Sequence, residues 1–108
     1  MMNEQLTRAR REGMRWMLIL TLNYARPAAY SLNPVLAVVR QQYPDCTLRE
    51  LCAELEYLEA RELVKIDRRP DGDWKSALTR TGIDLAEYTI DCEPGIARPS
   101  REFWQQGE

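Results

Sequence analysis

The fold is decided by residues 47–82. They read Thr47-Leu48-Arg49-Glu50-Leu51-Cys52-Ala53-Glu54-Leu55-Glu56-Tyr57-Leu58-Glu59-Ala60-Arg61-Glu62, then Leu63-Val64-Lys65-Ile66-Asp67-Arg68-Arg69-Pro70-Asp71-Gly72-Asp73-Trp74-Lys75-Ser76-Ala77-Leu78, and finally Thr79-Arg80-Thr81-Gly82. Thr47 to Glu50 has the form of a capping box, in which the threonine accepts from the Glu50 backbone N–H and the glutamate reaches back. Leu48, Leu51, Cys52, Leu55 and Leu58 follow at helical spacing and predict one apolar stripe facing a core. From Val64 the pattern alternates as in a strand. Pro70-Asp71-Gly72-Asp73 predicts a turn, with Pro70 fixing φ and Gly72 supplying a left-handed residue. Trp74 to Leu78 is the return strand. Two strands alone are marginal in water, so this hairpin must rest on helices. Thr79, or Thr81, caps a further helix with Ile83, Ala86 and Ile90 on one side, flanked by Leu85 and Tyr88. Cys92-Glu93-Pro94-Gly95 ends it.

Upstream, a first helix is expected from Asn3 to Ala25, with Asn3 as its N-cap and Glu4 in the first turn. Leu6, Ala9, Gly13, Trp16, Met17, Leu20 and Tyr24 keep its period. Gly13 marks either a close approach or a bend. Pro27 stops the run. Asn33-Pro34 predicts the start of a second helix, whose apolar side is Val35, Leu36, Val38, Val39 and Tyr43. Pro44-Asp45 ends that helix, and Pro44 to Cys46 is a short corner of the helix-turn-helix kind. The expected fold is therefore mainly α with one β-hairpin: a winged helix-turn-helix in the order helix-helix-helix-strand-strand-helix, with a C-terminal extension. Residues 1–95 form the domain, and residues 96–108 a tail or an arm laid across a groove.

Composition narrows the function. The 108 residues include 15 Lys plus Arg against 17 Asp plus Glu, a formal net charge of -2, and no His. Without histidine the chain lacks the commonest general base near neutral pH and the commonest ligand of catalytic zinc. Cys46, Cys52 and Cys92 are odd in number and lack metal-ligand spacing, so they read as reduced thiols in a cytoplasmic protein. Asp71 and Asp73 lack the rest of a calcium-loop pattern, and there is no glycine-rich phosphate loop. No enzyme activity, cofactor or metal is expected. The apolar run Trp16–Leu22 is too short for a membrane span of about 20 residues and reads as a buried helix.

The segment Leu55–Val64, with Arg69-Pro70-Asp71-Gly72-Asp73-Trp74 and Leu78-Thr79-Arg80-Thr81-Gly82, resembles the wing region of the winged-helix superfamily. Tyr57-Leu58-Glu59, Pro70-Asp71-Gly72, Glu87-Tyr88-Thr89 and Asp91-Cys92-Glu93-Pro94-Gly95-Ile96 are similar to small uncharacterised winged-helix proteins of Mu-like phages and prophages. The likeness covers about Arg8 to Pro99. It implies a phage context in a host-cell cytoplasm and no established activity. The wider superfamily implies DNA binding in many members and protein-protein roles in others.

Local charge argues against the usual insertion of the third helix into DNA, because Leu48–Glu62 carries Arg49 and Arg61 against five glutamates. Basic residues gather elsewhere. Arg8, Arg11 and Arg15 on the first helix, Arg49 at the start of the third, and Arg68, Arg69 and Lys75 on the hairpin are the candidate contacts to double-stranded DNA, most of them to phosphates. The first helix has apolar residues nearly all round, which suggests a homodimer. Trp16, Ile19, Trp74, Phe103 and Trp104 are the candidate interface residues. The functional expectation is a phage-type accessory or regulatory protein associated with DNA. The alternative is a non-enzymatic adaptor for a phage or host protein, with no DNA binding. No membrane or small-molecule partner is evident.

Overall fold

The computed structural model describes residues 2–101. Its elements are α1 (Met2–Ala25), α2 (Leu32–Val39), α3 (Leu48–Ala60), β1 (Val64–Arg68), β2 (Trp74–Leu78) and α4 (Arg80–Ala86). The chain is thus mainly helical with one antiparallel hairpin, in a winged-helix-like order. Helix α1 is the central post. Met14, Leu18, Ile19 and Leu22 of α1 are essentially inaccessible to water, and so are Val35, Val39, Leu51, Leu55 and Leu58 from α2 and α3. The removal of these side chains from water is the main favourable term in folding.

The hairpin has the expected strands, paired from Val64 with Leu78 to Arg68 with Trp74. Its loop closes through Arg69 N–H to Asp73 O at 2.8 Å and Gly72 N–H to Arg69 O at 3.0 Å, with Gly72 at φ +92. A feature that periodicity does not reveal is a bridge from Tyr30 to Ser76, with each backbone N–H donating to the other's carbonyl at 2.9 Å. This single residue acts as a third strand and ties the hairpin to the segment before α2.

Helix ends account for most departures from expectation. Asn3 lies inside α1 and is not its cap. Helix α2 begins at Leu32 after Ser31, so Asn33 is not the cap and Pro34 sits in the first turn. The free N–H of Leu32 donates instead to Asp73 Oδ1 at 3.0 Å, an acceptor delivered by the hairpin loop 41 residues later. Helix α2 stops at Val39, earlier than Pro44 suggests, and Tyr43 folds back over Gly13 of α1. Gly13 therefore serves a close approach. Helix α4 stops at Ala86 and does not reach Ile90; Leu85 and Gly82, not Ile90, make its buried side.

The ends of α3 and α4 share one device. Leu63 N–H donates to Leu58 O at 3.0 Å with Glu62 at φ +63, and Thr89 N–H donates to Asp84 O at 2.9 Å with Tyr88 at φ +63. Each is a Schellman turn in which a non-glycine residue adopts the left-handed region, at a cost of about 1 kcal/mol. Around Glu62 the neighbours hold that shape. Thr79 Oγ donates to Glu62 O at 2.6 Å and accepts from Gly82 N–H at 3.1 Å, and Thr79 N–H donates to Leu63 O at 3.0 Å. A methyl on Gly82 would overlap the Leu63 carbonyl oxygen, which is backbone and cannot swing aside. Gly82→Ala should therefore destabilise the fold by about 2 kcal/mol, in the range of overpacked cores. Thermal denaturation should show a lower midpoint; an unchanged or raised midpoint would contradict the close packing of α4 on the end of α3.

Candidate nucleic-acid interface

Helix α3 presents an outer face of Arg49, Ala53, Glu56 and Ala60, all exposed. Its start is fixed as expected, with Thr47 Oγ accepting from Glu50 N–H at 3.1 Å. The reciprocal half of the capping box does not form. The Glu50 carboxylate takes Arg10 of α1, Oε2 to Nε at 2.7 Å and Oε1 to Nη2 at 2.9 Å, while Asp45 in the corner takes the same guanidinium at 3.0 Å. A charged partner of fixed fork geometry outcompetes the neutral backbone N–H.

Four residues on, Glu54 is buried and bonded to Arg15 Nε at 2.7 Å. Arg15 also donates to Gly95 O at 2.9 Å and lies 3.5 Å over the Tyr57 ring. On the other flank, Arg68 of β1 bonds both oxygens of Glu59 at 2.9 Å, reaches Glu56 at 3.5 Å and sits 4.5 Å over Trp74. Four of the five glutamates of Leu48–Glu62 are thus met by three arginines from outside the helix. The acidity along this segment is largely compensated on the folded surface.

These geometries sort the candidate residues. Arg15 and Arg68 hold glutamates of α3, so neither is a free cation. Arg69 is paired with Asp67 at 3.1 Å near the hairpin tip. Arg8, Arg11 and Arg49 are exposed, and no intramolecular partner occupies their guanidinium groups among the described residues. Lys75 is half-buried on β2. Arg10, which clamps Glu50, lies between Arg8 and Arg11 along α1, and Arg49 precedes Glu50 at the start of α3. Arg69 and Lys75 are on the hairpin, across the helix from them.

Trp16 and Ile19 are packed inside the chain, Trp16 edge-on to Tyr88 with ring centroids 6.2 Å apart. As interface candidates they are corrected, because their apolar area is already covered within one chain. Trp74 packs on the core beneath Arg68. Phe103 and Trp104 lie outside the described residues. Sequence reasoning missed Arg10 and Glu54, whose roles depend on partners some 40 residues away. The segment after α4 is held by Ala97 N–H to Glu12 O at 3.1 Å, Arg98 to the carbonyls of Leu85 and Ile90, and Tyr88 OH to Pro99 O at 2.6 Å.

All three cysteines are free thiols, and burial pushes each of them above the ordinary thiol range. Among the described residues no group of three or more His, Cys, Asp or Glu is arranged to hold a metal. No helix there is long and apolar enough to cross a membrane.

The Arg10 guanidinium holds the Glu50 carboxyl below the ordinary carboxylate range, Arg68 does the same to Glu59, and the Leu32 N–H does so to Asp73. A carboxyl depressed in the folded state contributes stability above its unfolded value, and this is lost as pH falls through the folded one. Stability should therefore decline as pH drops below about 4.5, the ordinary glutamate value. Glu50→Gln should be less stable at pH 7 and lose less on acidification. Thermal melts from pH 7 to 3 check this, and parallel profiles for the two proteins would contradict it.

No family model matches the chain, and no curated protein matches it significantly. A similar solved structure is that of a proposed DNA-binding protein from Ralstonia eutropha JMP134, with 21% identity and a TM-score of 0.61, covering 72% of this chain and 95% of that one. At that identity the likeness is one of fold, and the chain shares the fold of that protein.

Proposed function

We propose that the chain is a winged helix-turn-helix protein that associates with double-stranded DNA, with Arg49 at the entrance of α3 as its central contact. The observation that carries this reading is the exposed, unpartnered guanidinium of Arg49, placed where a recognition helix begins, while neighbouring glutamates are held by arginines. An arginine there can fork onto a guanine edge or a phosphate, and the positive end of the α3 dipole favours the latter. Arg8 and Arg11 supply phosphate contacts from α1, and Lys75 supplies one from the hairpin. Such contacts position a protein on DNA without reading sequence. The proposed DNA-binding role of the Ralstonia protein supports the same reading. The resemblance of its sequence motifs to Mu-like phage proteins supports an accessory or regulatory role in a host-cell cytoplasm.

One observation favours a second reading, an adaptor that keeps the fold and binds protein alone. Glu56 stays more than half exposed in the middle of the outer face of α3, where a phosphate-lined groove would repel it. Titration of random duplex DNA at about 0.05 M and 0.15 M salt separates the two. A phosphate binder loses affinity steeply between them, with a log-log slope of about -0.9 per contact. Arg49→Ala should weaken binding about tenfold, the lower end of a lost bidentate contact, and Glu56→Gln should strengthen it. Absence of binding at low salt would overturn the DNA reading in favour of the adaptor.

A further inference from the structure

Leu6, Ala9, Gly13, Met17, Leu20 and Tyr24 of α1 recur every three or four residues. At 3.6 residues per turn they fall within a sector of about 80°. No charged residue shares that sector, although the chain holds 15 basic and 17 acidic residues. Arg8, Arg11, Glu12 and Arg15 project from the opposite side, and Arg15 there meets α3. A helix whose outer side faced only water would carry its charges outward. Here the outward side is the apolar one: Leu6 is 61% exposed, Leu20 40% and Tyr24 89%. Tyr43 crosses the stripe at Gly13, with the Arg10 guanidinium 5.2 Å from its ring centre, and leaves one hollow beside Leu6, Ala9 and Arg10 and another beside Met17, Leu20 and Tyr24.

We infer that this stripe is the contact surface for a second copy of the chain, with the two α1 helices antiparallel and the two Tyr43 side chains between them at the crossing. Three features of the molecule select that occupant. The stripe is self-complementary about its centre: Leu6 and Leu20 lie seven residues to either side of Gly13, and Ala9 and Met17 lie four to either side. A twofold axis past Gly13 and the Tyr43 that covers it therefore directs Leu6 of each copy toward Leu20 of the other, in the hollows on either side of Tyr43, as an isologous interface requires. The area suffices as well. Leu6, Leu20 and Tyr24 expose roughly 400 Å² per copy, and with their neighbours the pair buries on the order of 1,000 Å² in total, the lower bound for a specific interface. Lastly, α1 has no basic residue in its last turn. The antiparallel arrangement brings the positive start of the partner helix beside that negative end. The inference does not depend on DNA binding.

The test is mass in solution followed by site-directed cross-linking. The intact chain should run at twice its 12.6 kDa, and Leu20→Glu should return it to 12.6 kDa with its helix content unchanged. With Cys52 and Cys92 replaced by serine, chains carrying Leu6→Cys mixed with chains carrying Leu20→Cys should cross-link to each other, and neither should do so alone. A monomeric mass at high concentration would overturn the inference, as would a dimer insensitive to Leu20→Glu. Cross-links between Leu6→Cys chains alone would refute the antiparallel register.

Discussion

The buried pair of Arg15 with Glu54 is the constraint on which the rest of the structure leans. Taking two charges out of water costs several kcal/mol each, and their attraction offsets this only when the geometry is good and the remaining polar atoms are satisfied. Both conditions hold: Nε meets Oε1 at 2.7 Å, Nη1 donates to Gly95 O, and the guanidinium plane rests on Tyr57. One side chain thereby fixes α1, α3 and the segment following α4 in a common frame. Arg10 repeats the connection nearer the surface, on Glu50 and Asp45. The hairpin joins α3 from the other flank through Arg68.

That clamping changes the meaning of the charge pattern. Summed along the chain, α3 looks too acidic for a polyanionic partner. On the folded surface, most of that acidity faces arginines of α1 and β1, and Arg49 is left uncommitted at the helix start. Exposed pairs such as Arg68 with Glu59 contribute little to stability. Their effect is on the electrostatic field that an approaching molecule meets.

Local signals were legible where the cause was local. Thr47 and Thr79 cap the helices they precede, Gly72 turns the hairpin, and the strands begin and end where the alternation does. The fold order followed from these. What stayed hidden depends on distant residues: Asp73 capping α2, Tyr30 bridging Ser76, and Glu50 turning from its own helix to Arg10. The two Schellman ends at Glu62 and Tyr88 were hidden for another reason. They use a left-handed residue without the glycine that would announce it. At the candidate site, residue type singled out the arginines, while their commitment to or freedom from carboxylates required the packing of α1 on α3.

A double-mutant cycle on Arg15 and Glu54 measures the central claim most directly, using denaturant unfolding of the parent, Arg15→Ala, Glu54→Ala and the double variant. If the pair bolts α1 to α3, each single change leaves a buried partner uncompensated, and the coupling energy should be about 2 kcal/mol or more. A coupling below about 0.5 kcal/mol, the value of solvent-exposed pairs, would contradict the account.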